Sequence, residues 1–363
     1  MKYLDIIRKK LGAYPIGAWV PYYEHNLNAK YFAEMKECGI NFIPTNDCKK
    51  EELDIISNSG IKLMVNDDRV TYANINSIVS VKDYLKEYIS RDDVLSVFVW
   101  DEPSPTMMDV CAVINKQVNK YGDGIFGYIN LHPNYSDQQL QRDGLTYAEY
   151  LQYFVDTCKP KVISYDHYPF YKDKIGHDKM FENLDEIRKC CNNNGLEFMT
   201  FIQSAEYFNH VLPTEEMLRY QVATSLAYGA KGILYFTYAQ VIHDTNSECF
   251  GPAVLDKSGK RTHVYESIKQ INREIQENGN LFMQLKHKGV VFFSKRFEKF
   301  STIRPDFEIN SDEILVGIFE HGDKTYLYLV NLTFESRGEV VVIKENKKVV
   351  VDLSKGLGQL VEI

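Results

Sequence analysis

From residue 16 to about residue 285 the chain repeats one pattern. A short run rich in β-branched and aromatic residues ends in polar residues, a longer amphipathic stretch follows, and the next run begins. The runs are Ile16–Val20, Asn41–Thr45, Ile61–Val65, Val94–Trp100, Ile125–Ile129, Val162–Tyr165, Phe198–Ile202 and Gly232–Thr237. Short apolar runs of this kind predict buried strands, and the 3.6-residue recurrence between them predicts helices. The helices are expected over 29–38, 51–57, 81–90, 107–120, 147–157, 179–192, 215–227 and 265–278. Glycines at 39, 60, 195 and 229 fall where helices should stop, since glycine takes the left-handed conformation of a C-terminal cap without a Cβ clash. Thr214, just before Glu215-Glu216, reads as an N-cap.

Strands alternating with helices imply a parallel sheet, and eight such units fit a closed (β/α)8 barrel. No GxGxxG follows the first run and no GxxxxGK[ST] occurs, so the nucleotide-binding alternatives lack their loops. After residue 285 the period changes to two, over 289–293, 313–319, 325–331, 339–343 and 348–353. His321-Gly322-Asp323 and Glu345-Asn346-Lys347 are the expected hairpin tips. The expected fold is therefore α/β: a TIM barrel over residues 1–285, followed by a small all-β, sandwich-like domain over 286–363 that packs on the barrel or on another subunit.

Composition narrows the function. A net charge of −8 argues against binding nucleic-acid phosphates, which calls for a basic face. The 25 Tyr and 20 Phe fit either a large core or flat platforms for sugar faces. Seven Cys, none in a CxxC pair, read as unpaired thiols of a reducing compartment rather than a zinc ribbon. No signal-peptide-like or membrane-length apolar run occurs, so a cytoplasmic protein away from membranes is expected. No cofactor or metal is implied: His132, His167 and His243 lack ligand spacing, and Asp67-Asp68 lacks a cation loop. The sequence leaves the oligomeric state open.

Barrels of this type do chemistry at the carboxyl ends of their strands. The residues there are Trp19 and Tyr22 after the first run, Asn46-Asp47 after the second, Asp67 after the third and Asp101-Glu102 after the fourth. Asn130 and His132 follow the fifth, Tyr165, Asp166, His167 and Tyr168 close the sixth, Gln203 and Glu206 follow the seventh, and Tyr235 and Tyr238 belong to the eighth. Carboxylates, amides and rings with few cations suit a small neutral carbohydrate and not an anionic substrate. SVFVWDEP (96–103) is the sharpest signal: an apolar strand drives two acids to its end and Pro103 stops it. Burial and the adjacent charge should raise the pKa of Glu102, as a general acid near neutral pH requires. The plainer alternative is that Asp101 and Glu102 cap the next helix. Asp166 and Glu206 are the other catalytic candidates, each open to a plainer reading as a structural or solvent-facing acid. Ser164 and Ser204 lack the GxSxG context of a hydrolase elbow.

At SVFVWDEP, YINLHPNY, ISYDHYPF and AYGAKGILYFTY the chain resembles glycoside hydrolase barrels of the large retaining clan that includes the family 42 β-galactosidases. The resemblance implies that Glu102 is the acid/base. The clan has Asn where this chain has Asp101, and a nucleophilic Glu where it has Gln203. The Asp-Glu-Pro run also resembles the substrate-assisted family 123 β-N-acetylgalactosaminidases. That likeness implies that Asp101 orients the acetamido group of the sugar and that Tyr165 or Tyr168 steadies its oxygen. An inverting pair of Glu102 with Asp166 or Glu206 is a third arrangement, and a non-catalytic carbohydrate-binding barrel a fourth. A lyase or aldolase would want a rim lysine or a metal. Exo action on short oligosaccharides is expected from the cytosolic setting alone.

Overall fold

The computed structural model describes residues 1–46, 48–71, 81–122, 124–136, 144–242, 249–345, 347–354 and 356–363. Asp47, His243 and Asn346 lie outside the described residues.

Eight parallel strands close a barrel in chain order: β1 (Ile16–Ala18), β2 (Phe42–Pro44), β3 (Lys62–Val65), β4 (Val94–Asp101), β5 (Phe126–Leu131), β6 (Val162–Tyr165), β7 (Glu197–Gln203) and β8 (Ile233–Phe236). Ile16 pairs with Ile233 across the closing seam. Around the barrel lie α2 (Ala29–Glu37), α3 (Lys50–Ser57), a short α4 (Asp68–Thr71), α5 (Val81–Ile89), α6 (Pro105–Tyr121), α7 (Tyr147–Cys158), α8 (His177–Asn194), α9 (Glu215–Ala227) and α10 (His263–Glu277). Every expected strand and helix forms, with ends shifted by a few residues. The cap signals act as read. Thr214 accepts from Met217 N, and Gly195 sits at φ 64 after α8.

Strand alternation sorts the core into two layers. Ile233 and Tyr235 of β8 join the barrel–helix layer, whereas Leu234 and Phe236 face the barrel axis. An N-terminal helix, α1 (Tyr3–Lys10), is absent from the sequence reading. It plugs the amino-terminal mouth with Tyr3, Ile6 and Ile7 against Phe42, Met64, Leu95, Phe126 and Met199. Tyr3 Oη donates to the Lys231 carbonyl at 2.9 Å. The amino-terminal end of the barrel is therefore closed.

After α11 (Gly279–Phe282) come β9 (Lys286–Phe293), β10 (Glu308–Ile309), β11 (Ile314–His321), β12 (Lys324–Asn331), β13 (Glu339–Lys344), β14 (Lys347–Asp352) and β15 (Gln359–Glu362). They form antiparallel sheets ordered β15-β12-β11-β9 and β10-β13-β14. The short β10 and β15 carry too few alternating residues to stand out in sequence. The hairpin between β11 and β12 turns at Gly322-Asp323, with Gly322 at φ 62. Ile314 and Val316 face the three-stranded sheet, while Leu315 and Phe319 face the barrel's helices. Gly317 lets the sheet reach α9: a Cβ there would lie 2.3 Å from the Ala227 carbonyl oxygen. Among the described residues no helix is long and apolar enough to cross a membrane, and the seven cysteines are free thiols.

Candidate active site

A register shift between Phe98 and Trp100 re-aims the end of β4, so that Asp101 pairs with Asn130 of β5. Glu102 N then donates to the Asn130 carbonyl at 2.9 Å, and Glu102 takes φ 48. A non-glycine residue in the left-handed region is strained, and such strain concentrates at functional positions. The following helix does not use these acids as caps. Ser104 caps α6 by accepting from Met107 N at 3.3 Å, and Pro105 occupies its first turn.

Three carboxyls meet at this rim. Asn130 Nδ2 donates to Asp101 Oδ1 at 3.1 Å and to Asp166 Oδ1 at 3.0 Å. Its own Oδ1 accepts from Ser164 Oγ at 3.1 Å, and Ser164 lies 2.6 Å from Tyr128 Oη. Glu102 Oε1 lies 3.3 Å from His132 Nδ1, and the carboxyls of Glu102 and Asp166 shift each other's titration. Burial raises Asp166 well above the carboxylate range, and the charges of Glu102 and Asp101 push it further. Asp101 touches solvent through the open mouth but is walled by protein on its other sides. That enclosure and the charge of Glu102 push it up to about 6.

Glu102 departs from the expectation of a raised pKa. Burial does push it up, but the hydrogen bond and attraction of His132 and the hydrogen bond from Asp166 outweigh burial and leave it lowered. Glu102 is thus held low while its deeper neighbour Asp166 is held high, and the two carboxyls titrate as a pair.

The cavity above these acids has a volume of about 390 Å³, within the range of small-molecule sites. Asp101, Glu102, Asn130 and Asp166 form one side. Trp19, Tyr135, Tyr168, Phe201, Tyr207, His210 and Phe236 form the rest, together with Pro133 and Ser136. None of these lining residues is Lys or Arg. Trp19 packs edge-on to Phe98 and Phe201, at 5.5 and 5.6 Å between centroids.

The other expected rim residues lie elsewhere. Tyr165, Tyr235 and Tyr238 turn into the barrel–helix layer, and Tyr235 Oη donates to Asn272 at 2.7 Å. Tyr22 is buried against Glu52, and Asn46 N donates to Tyr22 Oη at 2.8 Å. Asp67 is paired with Arg69 at 2.8 Å and accepts from Tyr88. His167 Nδ1 meets Asn183 Oδ1 at 2.9 Å, behind the cup. Glu206 pairs with Lys172 at 3.0 Å and does not line the cavity.

Gln203 is fully buried. Its Oε1 accepts from Phe170 N at 3.1 Å, and its Nε2 donates to the carbonyls of Phe170 and Val211 at 3.0 and 2.8 Å. It ties two loops together and does not face the cup. Strict two-residue alternation would have found Phe201 and Phe236. Tyr135, Tyr207 and His210 stand on loops and gave no local signal. Among the described residues no cluster of His, Cys, Asp and Glu has a metal-binding arrangement.

A parallel eight-stranded barrel with acids and rings gathered at its carboxyl rim has the make-up of a carbohydrate-active barrel. The family model of beta-galactosidases, glycoside hydrolase family 42, matches residues 129–278. The match spans less than half of the chain; together with the closed barrel it makes the chain similar to the (β/α)8 glycoside hydrolases. No curated protein sequence matches the chain.

A family 5 glycoside hydrolase from Bacteroides vulgatus shares its fold. Identity is 10% and the TM-score 0.60, over 96% of this chain and 89% of that one. The beta-galactosidase of the psychrophilic Marinomonas ef1 does so at 11% identity and a TM-score of 0.54, over 77% of this chain. This chain spans 63% of that enzyme's length.

Proposed function

We propose that the protein cleaves the glycosidic bond of a small neutral saccharide, with Glu102 protonating the leaving oxygen. One observation carries this reading. Glu102, Asp101 and Asp166 converge on one side of a closed-bottomed cup whose remaining wall is aromatic. Rings stack on the C–H faces of a pyranose, and the carboxyls and Asn130 bond its hydroxyls.

Among mechanisms, the geometry favours participation by a 2-acetamido group of the substrate. Direct double displacement needs carboxyls about 5–5.5 Å apart, and inversion needs roughly 6.5–9.5 Å. Glu102 and Asp166 shift each other's titration, so the pair is better suited to sharing one proton than to acting as separate acid and nucleophile. Gln203 is locked into loop contacts where a nucleophile would stand. In this scheme Asp101 accepts the acetamido N–H, and the acetamido oxygen attacks the anomeric carbon as the C–O bond breaks. Glu102 passes the proton shared with Asp166 to the departing oxygen, then takes one from the water that opens the cyclic intermediate. Tyr168, which lines the cup, is the candidate to steady the acetamido oxygen. A cytosolic setting belongs to the same reading, supported by seven free thiols.

The test is a panel of nitrophenyl glycosides. Acetamido sugars should be cleaved and their 2-hydroxy counterparts scarcely touched. Glu102→Gln should lower turnover by about 10²–10⁴ with an unchanged denaturation midpoint. Equal cleavage of plain hexosides would reject acetamido participation and leave the glycosidase. The absence of a carboxylate at Gln203 favours a second reading, a barrel that binds sugar without turnover. Saccharide binding with no hydrolysis of any member of the panel would establish it.

A further inference from the structure

We propose that the lip of the cup carries a second sugar subsite, formed by Phe208 and Phe250 beside Tyr207, so that the protein takes saccharides of at least two rings. The proposal rests on the glycosidase reading and extends the same site outward.

The cup's aromatic wall does not stop at its mouth. Tyr207 lines the cavity and packs against Phe236 at 5.3 Å between centroids. On its outer side it stacks on Phe250 at 5.8 Å and 15°. Phe208 meets both rings edge-on, at 6.1 Å to Tyr207 and 5.9 Å to Phe250. These four rings make a continuous apolar track from beside the acids to open solvent.

Phe208 is held there at a cost. It is 57% exposed and its φ is 46, a left-handed conformation that disfavours a bulky side chain. Its amide donates to the Cys249 carbonyl at 2.7 Å, which fixes the strained turn. Bridges from Tyr207 to Phe250 and to His210, with the three side-chain bonds of Gln203, brace the loop on two sides. A ring left in water on a braced, strained turn contributes little to the core. Burial of the ring under a ligand would recover the lost apolar contact.

Continuity with the cup identifies the ligand. A ring track joined to a saccharide site presents flat apolar faces to the next pyranose. Glu206 of this loop is neutralised by Lys172 at 3.0 Å and Asp173 is bonded by Asn209 Nδ2 at 3.3 Å, so a neutral unit is expected.

The test uses calorimetry on Glu102→Gln protein, which retains the cup without turnover. The probes are N-acetylglucosamine and N,N′-diacetylchitobiose. The disaccharide should bind about tenfold tighter, as expected for about one stacked ring. Adding Phe208→Ala should erase that gain and leave the monosaccharide unchanged, while Phe208→Tyr should keep it. A gain that survives Phe208→Ala, or a disaccharide that binds no tighter than the monosaccharide, overturns the subsite. So does a change of sedimenting mass in Phe208→Ala, which would assign the ring to contact between copies. Failure of both probes to bind, with no hydrolysis by the unmodified protein, instead removes the reading on which the subsite rests, and the subsite with it.

Discussion

His132 Nδ1 lies 3.3 Å from Glu102 Oε1, and this contact helps to hold the Glu102 carboxyl low against its burial. His132 and Asp166 together outweigh burial and leave Glu102 lowered, while burial and the neighbouring charges raise Asp166.

Replacing His132 with Ala removes an attraction that favours the ionised carboxyl. Glu102 then binds its proton more readily, and the alkaline limb of kcat/KM should move to higher pH. An unmoved limb would show that His132 does not govern the acid.

Asp101 must be ionised to accept an acetamido N–H, and its carboxyl is pushed up to about 6. Activity on acetamido glycosides should therefore fall as pH drops through about 6. Asp101→Asn should abolish that acid limb and lower turnover about 100-fold. Retention of the same limb in Asp101→Asn would assign it to another group.

Gln203→Glu restores the residue type that the retaining clan carries at this strand end, but it should not create a nucleophile. The new carboxylate would face the carbonyls of Phe170 and Val211, which now accept from the side-chain amide. The expected result is a loss of about 2–4 kcal/mol in urea unfolding and no gain in turnover.

Lys231 is buried beneath the barrel and donates to the carbonyls of Phe282 and Leu285. Burial lowers its pKa to about 8. Between pH 8 and the ordinary lysine value the unfolded chain binds more protons than the folded one, so stability rises with pH across that window. The increment should reach up to about 3 kcal/mol and be absent from Lys231→Met, measured as the difference between the two proteins' unfolding curves.

The local pattern along the chain was sufficient for the eight strands, their helices and the hairpins beyond residue 285, because burial at fixed periodicity is a short-range property. It also brought Asp101, Glu102, Asn130 and Asp166 to one rim, since strand ends of a barrel share a face. Three matters needed the closed structure. Side-chain direction at the strand ends depended on register and on the bulge in β4, so Phe236 faces the cup while Tyr235 and Tyr238 do not. The loops that carry Tyr135, Tyr207 and His210 take their shape from distant partners and have no periodic signature. Proton placement among the three acids depended on His132 and on relative depth, because a pKa reports every charge and every layer of solvent excluded around a group, and those are set only when segments remote in the chain are brought into contact.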